Sequence, residues 1–262
     1  MQSPLFDHNH DAPSVFTPKS LLDAVVTVRG LPHARVPAVV VLEFDGDLYD
    51  RLLREGASLL PTWACFHTPM CIIDVDGAAC GVIPRTIGGP FATLVLEQLF
   101  ASGARVVVGL TSAGRVARAH TLPHFVVADS AIRDEGTSLH YIAASRTIAA
   151  PQSLAAALER EVSGLSLPTY RGLVWTTDAP YRETKEMLRA REEEGALAVE
   201  MQAASLFACA AARGGEVGVV AYVINAADAE SEPFAKGPED IERRLLDAIC
   251  RAAIRHAGML TV

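Results

Sequence analysis

Short apolar runs recur along this chain, at Ala38–Leu42, Met70–Val75, Ala79–Ile83, Val106–Leu110, Phe125–Ala128, Gly172–Trp175 and Val217–Ile224. Runs of this length, rich in β-branched residues and lacking polar alternation, are what strands buried on both faces look like. Helical patterns lie between several of them, at Phe91–Ala101, Gln152–Val162, Thr184–Glu194, Leu197–Arg213 and Pro238–His256. Strands alternating with helices predict an α/β fold with a mixed, mainly parallel central sheet flanked by helices. Sheets of that kind bind ligands beyond the C-terminal ends of their strands, so the loops that follow strands are where chemistry is expected.

With 262 residues, half of them hydrophobic, the chain is long enough to bury one large core. No linker or repeat divides it, which predicts a Pro-rich lead-in over residues 1–36 and a single domain over 37–262. A net charge of -8 without a basic run repels a phosphate backbone, so no nucleic-acid partner is expected. No apolar stretch is long enough to span a membrane, and Met1–Asp11 is polar and acidic; a soluble, cytoplasmic protein is expected. The 5 cysteines are scattered without a Cys-x-x-Cys, which suits buried thiols. His8 and His10 read as part of a flexible terminus, and Pro123 keeps His120 and His124 from sharing a helical face. No metal and no cofactor is therefore expected.

Three segments after strands carry candidate chemistry. Thr86-Ile87-Gly88-Gly89-Pro90 places glycines where a backbone approaches a ligand, although an ordinary strand-to-helix turn has the same residues. Gly109-Leu110-Thr111-Ser112-Ala113-Gly114 offers hydroxyls and N–H groups that suit an anion or a sugar oxygen. It is neither a Walker loop nor a nucleophile elbow, which disfavours a serine triad. In Ala198-Val199-Glu200-Met201-Gln202-Ala203-Ala204-Ser205 an acid and an amide enter an apolar helix pattern. They suit a ribose cis-diol, or Glu200 merely caps a helix.

Taken in order, these segments with Ile132-Arg133-Asp134-Glu135-Gly136-Thr137-Ser138-Leu139-His140-Tyr141 and Thr176-Thr177-Asp178-Ala179-Pro180-Tyr181-Arg182-Glu183 resemble the nucleoside phosphorylase family, and most closely its uridine-phosphorylase-like branch. The resemblance runs from about Pro37 to the C-terminus. It implies that the turn holding Thr111, Ser112 and Gly114, with Gly88 nearby, binds sugar and phosphate. It implies that Met201 and Gln202 lie under a ribose, with Glu200 beside them, and that Tyr181 and Arg182 border the base.

The departures are as informative. An amide, Gln202, stands where the family has a carboxylate, and the positions that read uracil hold Thr184 and Glu186. The phosphate loop after the first strand is the acidic Phe44-Asp45-Gly46-Asp47-Leu48-Tyr49, and Gly109 replaces an arginine. Arg85 and Arg115 stand beside these loops as substitute phosphate ligands. The proton donor of purine-cleaving relatives falls in the pair Asn225-Ala226, with Asp228 close but out of register. The catalytic positions are accordingly Glu200, Asn225 and Asp228. Three functions follow from this pattern. The chain is a glycosyltransferase that cleaves a nucleoside with phosphate, or a hydrolase that uses water, or a protein that binds a nucleoside-like ligand without cleaving it or catalyses another reaction on it. The resemblance further implies a homodimer or hexamer, with His140-Tyr141 part of the contact.

Overall fold

The computed structural model describes residues 4–228 and 237–259. In chain order its main elements are α1 (Pro18–Arg29), β1 (Val39–Glu43), α2 (Asp47–Arg54), β2 (Ser58–Leu59), β3 (Cys71–Val75), β4 (Ala78–Pro84), α3 (Gly89–Ala101), β5 (Val106–Arg115), β6 (His124–Asp134), β7 (Thr147–Ala149), α4 (Gln152–Val162), β8 (Thr169–Thr177), α5 (Lys185–Glu193), β9 (Ala198–Glu200), α6 (Ala203–Arg213), β10 (Glu216–Ala226) and α7 (Glu239–Met259). All strands belong to one mixed sheet in the order β10-β6-β8-β9-β5-β1-β4-β3-β2, with β7 paired to β6. Its two longest ladders, β10–β5 and β6–β8, are parallel. Because β10 pairs with both β6 and β5, the strands β10-β6-β8-β9-β5 close on themselves into a barrel-like circuit.

The apolar runs become strands because successive residues serve opposite faces. Val40, Leu42, Val107, Val126 and Val219 pack with Leu96, Leu99, Leu206 and Phe207 of α3 and α6. Their neighbours Val39, Val41, Val106, Val108 and Val127 pack with Leu154, Leu158, Leu246 and Ile249 of α4 and α7. All 5 cysteines are buried free thiols within this framework.

One local expectation is corrected, and the lead-in shows structure of its own. The helix expected from Leu197 begins only at Ala203, and Ala198–Glu200 is instead a strand between β8 and β5. Both sides of that segment are buried, so hydrophobic periodicity cannot distinguish the two states; strand pairing decides it. The Pro-rich lead-in contains α1, whose start is a Thr17/Ser20 capping box with Pro18 in the first turn and whose end is Gly30 in the left-handed region at φ 63°. The His8 ring lies 4.2 Å from that of His140, and His10 Nε2 is 3.0 Å from the Leu139 carbonyl oxygen.

Candidate active site

At the C-terminal ends of the central strands lies an open cleft of about 570 Å³. Its lining follows the strand order. The loop after β8 supplies Pro180, Tyr181 and Glu183; β9 and its turn supply Glu200, Met201 and Gln202. From β5 come Thr111, Ser112 and Gly114, and from the loop after β1 come Phe44 and Asp45. Asn225, on β10 opposite Gly114 where the ladder shifts register, completes one wall.

The β1 loop is held from below. Glu43 is buried and accepts hydrogen bonds from the backbone N–H groups of Gly46 and Tyr49, at 2.7 and 3.2 Å. Burial pushes its carboxyl up to about 7 against the pull of those two donors. This anchor presents Asp45 to the end of β5, where its carboxylate accepts from both Ser112 N–H at 3.2 Å and Ser112 Oγ at 3.0 Å. The donors that would cradle an incoming anion are thus already occupied by one. An arginine has no room at Gly109 either, because a side-chain carbon there would meet the buried Phe44 ring at 2.9 Å.

On the β9 side, Glu200 is buried, only 4% exposed, at the cleft floor. It accepts from Thr176 Oγ1 and from the N–H groups of Gln202 and Ala203, at 2.6 and 2.8 Å, and so anchors the start of α6. Burial raises its carboxyl to about 7 despite these donors. The Gln202 side chain bridges the cleft floor. Its Oε1 accepts from Gly88 N–H at 3.1 Å, and its Nε2 donates to Thr111 Oγ1 at 3.4 Å. Gly88 therefore touches the site through the backbone rather than lining it.

Other expected site residues lie apart from the lining. Arg85 is half exposed and paired with Asp50 of α2. Arg115 donates to the His120 carbonyl oxygen at 3.2 Å, and Asp228 is paired with Arg118 at 3.1 Å. Arg182 is exposed on the turn beside Tyr181. Among the described residues the cleft lining contains no arginine or lysine. Thr184 caps α5 by accepting from Met187 N–H, and Glu186 lies in the first turn of that helix.

Two acids in the lining, Asp45 and Glu183, fall within segments the sequence brings forward, but neither is given a role there. Asp45 reads in the sequence only as part of an acidic loop, and its bond to Ser112 spans 67 positions that no local pattern reveals. Glu183 closes the Thr176–Glu183 segment and precedes the Thr184 cap, and nothing in that pattern marks it apart from its neighbours. Burial alone raises its carboxyl to about 7.

The sequence model of the phosphorylase superfamily matches residues 63–255. The chain is 24% identical over 196 residues to uridine phosphorylase of Salmonella typhimurium, covering 70% of this chain and 78% of the relative. It is 24% identical over 177 residues to guanosine phosphorylase of Halorubrum lacusprofundi, covering 68% and 73%. The crystal structure of uridine phosphorylase from Vibrio fischeri superposes with a TM-score of 0.68 at 22% identity, covering 87% of this chain and 93% of that one.

Proposed function

The chain belongs to the phosphorylase superfamily, and from that premise we propose that its cleft breaks the N-glycosidic bond of a nucleoside with water as the nucleophile. Residues 37–262 form the catalytic unit in this reading. The relatives are uridine and guanosine phosphorylases, which supports glycosidic cleavage as the reaction class. What favours water is the Asp45 carboxylate seated on Ser112 N–H and Oγ. A phosphate brought to those donors would face this carboxylate at about 4 Å. At an effective dielectric of about 20 that repulsion is about 4 kcal/mol per unit charge, and no basic side chain among the described lining residues offsets it. A water molecule in the same place is attracted instead. Asp45 takes its proton, Ser112 orients it, and Met201 with Gln202 supports the sugar as positive charge develops at C1′.

The test is base release from purine and pyrimidine nucleosides, with and without phosphate. Release indifferent to phosphate, lowered by about 100-fold or more in Asp45→Asn, is the expected result. Release that requires phosphate selects phosphorolysis, as the names of the relatives favour. Binding of a nucleoside without any release overturns cleavage. We further infer a homo-oligomer built from dimers, because apolar residues such as Ile87 stand exposed at the cleft mouth, and a cytoplasmic location, which the free thiols suit.

A further inference from the structure

We propose that Glu183 is the proton donor to the departing base, acting from the end of the cleft opposite Asp45. This assignment rests on the glycosidic reading above. Among the described residues the cleft is lined by three carboxyl groups, Asp45, Glu183 and Glu200, with Tyr181 the other titratable group and fully exposed. Asp45 is engaged by Ser112, and Glu200 by Thr176 and two backbone N–H groups. The Glu183 carboxyl group, half-buried, has no hydrogen-bond or ion-pair partner among the described residues.

Position separates the two ends of the cleft. Along the strand order β8-β9-β5-β1, Glu183 follows β8 and Asp45 follows β1, while Met201, Gln202 and Ser112 lie between them. A substrate whose sugar rests on that middle segment has a carboxyl group at each end. This is the arrangement a glycosidic bond requires when one group activates water and the other protonates the leaving group. The backbone at Glu183 is fixed, since its N–H donates to the Pro180 carbonyl oxygen at 3.3 Å and the next residue, Thr184, caps α5. No described residue bonds the carboxyl group and so holds it away from a ligand.

Its protonation suits the task. With burial as the cause and no donor or cation to counter it, the Glu183 carboxyl lies at about 7, so a substantial fraction carries a proton at neutral pH. The alternatives do not supply that proton. Asn225 ends in an amide, and Asp228 is paired with Arg118.

The step balances. The C1′–N bond breaks with its electron pair passing to the base, which takes the Glu183 proton. Water oxygen bonds to C1′ and gives a proton to Asp45. Solvent returns one proton from Asp45 to Glu183, leaving free base and free sugar.

The experiment compares nucleosides with 4-nitrophenyl β-D-ribofuranoside, whose leaving group departs as a stable anion without protonation. Glu183→Gln is expected to lower kcat/KM for nucleosides by about 100- to 1,000-fold while changing nitrophenyl riboside cleavage by less than about threefold. It is also expected to abolish the fall in wild-type kcat/KM above about pH 7, and Glu183→Asp, which keeps the acid on a shorter arm, to retain part of the nucleoside rate. Equal losses on both substrates, or no loss on either, overturn the acid role while leaving the glycosidic reading intact. A wild type that releases neither base nor nitrophenolate overturns both.

Discussion

The carboxyl group of Glu200 shows how a single buried charge serves both fold and site. Three donors converge on it, so Glu200→Ala leaves the N–H groups of Gln202 and Ala203 and a threonine hydroxyl without their acceptor. At about 1–3 kcal/mol for each unsatisfied buried group, a loss on the order of 3 kcal/mol or more is expected in denaturant titration. Any loss of sugar binding in that variant is therefore read only after stability is known. Glu200→Gln is milder and tests the ionisation. The folded-state value near 7 lies above the ordinary 4.5, so the folded chain holds more protons than the unfolded chain between those limits. The contribution of this group is then fully present below about pH 4.5, declines as pH rises, and is gone above about 7. Glu43 and Glu183 act in the same sense, whereas His124 and His140, both lowered by burial, act in the opposite one. The gap in thermal midpoint between wild type and Glu200→Gln should accordingly be widest at about pH 4.5 and below and narrow by pH 7.5; a gap independent of pH would exclude ionisation of Glu200 as its source. At this scale the sequence is legible where function uses contiguous residues. Thr111, Ser112, Met201 and Gln202 stand out by motif, and all line the cleft. Asp45 and Glu183 do not stand out, because what distinguishes them is a partner far along the chain in one case and the absence of a described partner in the other.

Among the elements, the long strands and helices were legible because each buries a face with a clear period, whereas β2, β7 and β9 are two or three residues long and exist only through their neighbours. The start of α1 was written in Thr17-Pro18-Lys19-Ser20, a helix-initiating pattern that prolines elsewhere in the lead-in obscure. The turn into α3 was legible as well, since Gly88 has φ 87° and Pro90 occupies the first turn. What the sequence could not show is why Gly89 is a glycine. A side-chain carbon there would lie 2.2 Å from Ser205 Oγ on α6, whose hydroxyl donates to the buried Glu135. Gly89→Ala should thus force α3 and α6 apart at the edge of the site and cost about 1–3 kcal/mol. Adding Ser205→Ala removes the nearest atom and should return part of that loss. Equal costs of Gly89→Ala in both backgrounds would exclude this contact as the cause.

At the scale of the molecule, the cleft mouth adjoins a surface that suits a second copy of the chain. Phe91 and Leu94 stand three residues apart and share one face of α3, the His67 ring packs edge-on against Phe91 at 6.3 Å, and Ile87 at the foot of the helix both lines the cleft and is 51% exposed. One turn further along α3, Glu97 accepts from Tyr141 Oη at 2.8 Å and pairs with Arg213 at 3.0 Å, so the expected contact segment His140-Tyr141 is joined to the same helix. An apolar surface rimmed by polar groups is seldom left to solvent in a soluble protein, and the closed point symmetry of most oligomers makes a two-fold contact its simplest cover. Sedimentation at micromolar concentration should therefore show a dimer or a multiple of one. Leu94→Glu places a charge on this face without touching the cleft lining, so it should yield a folded monomer with an unchanged circular dichroism spectrum. If the partner also closes the cleft mouth over Ile87, that monomer should bind nucleoside more weakly, and wild-type activity per chain should fall on dilution through the dissociation range. A wild type that sediments only as a monomer, or a Leu94→Glu variant that remains fully dimeric, would remove this face as the interface.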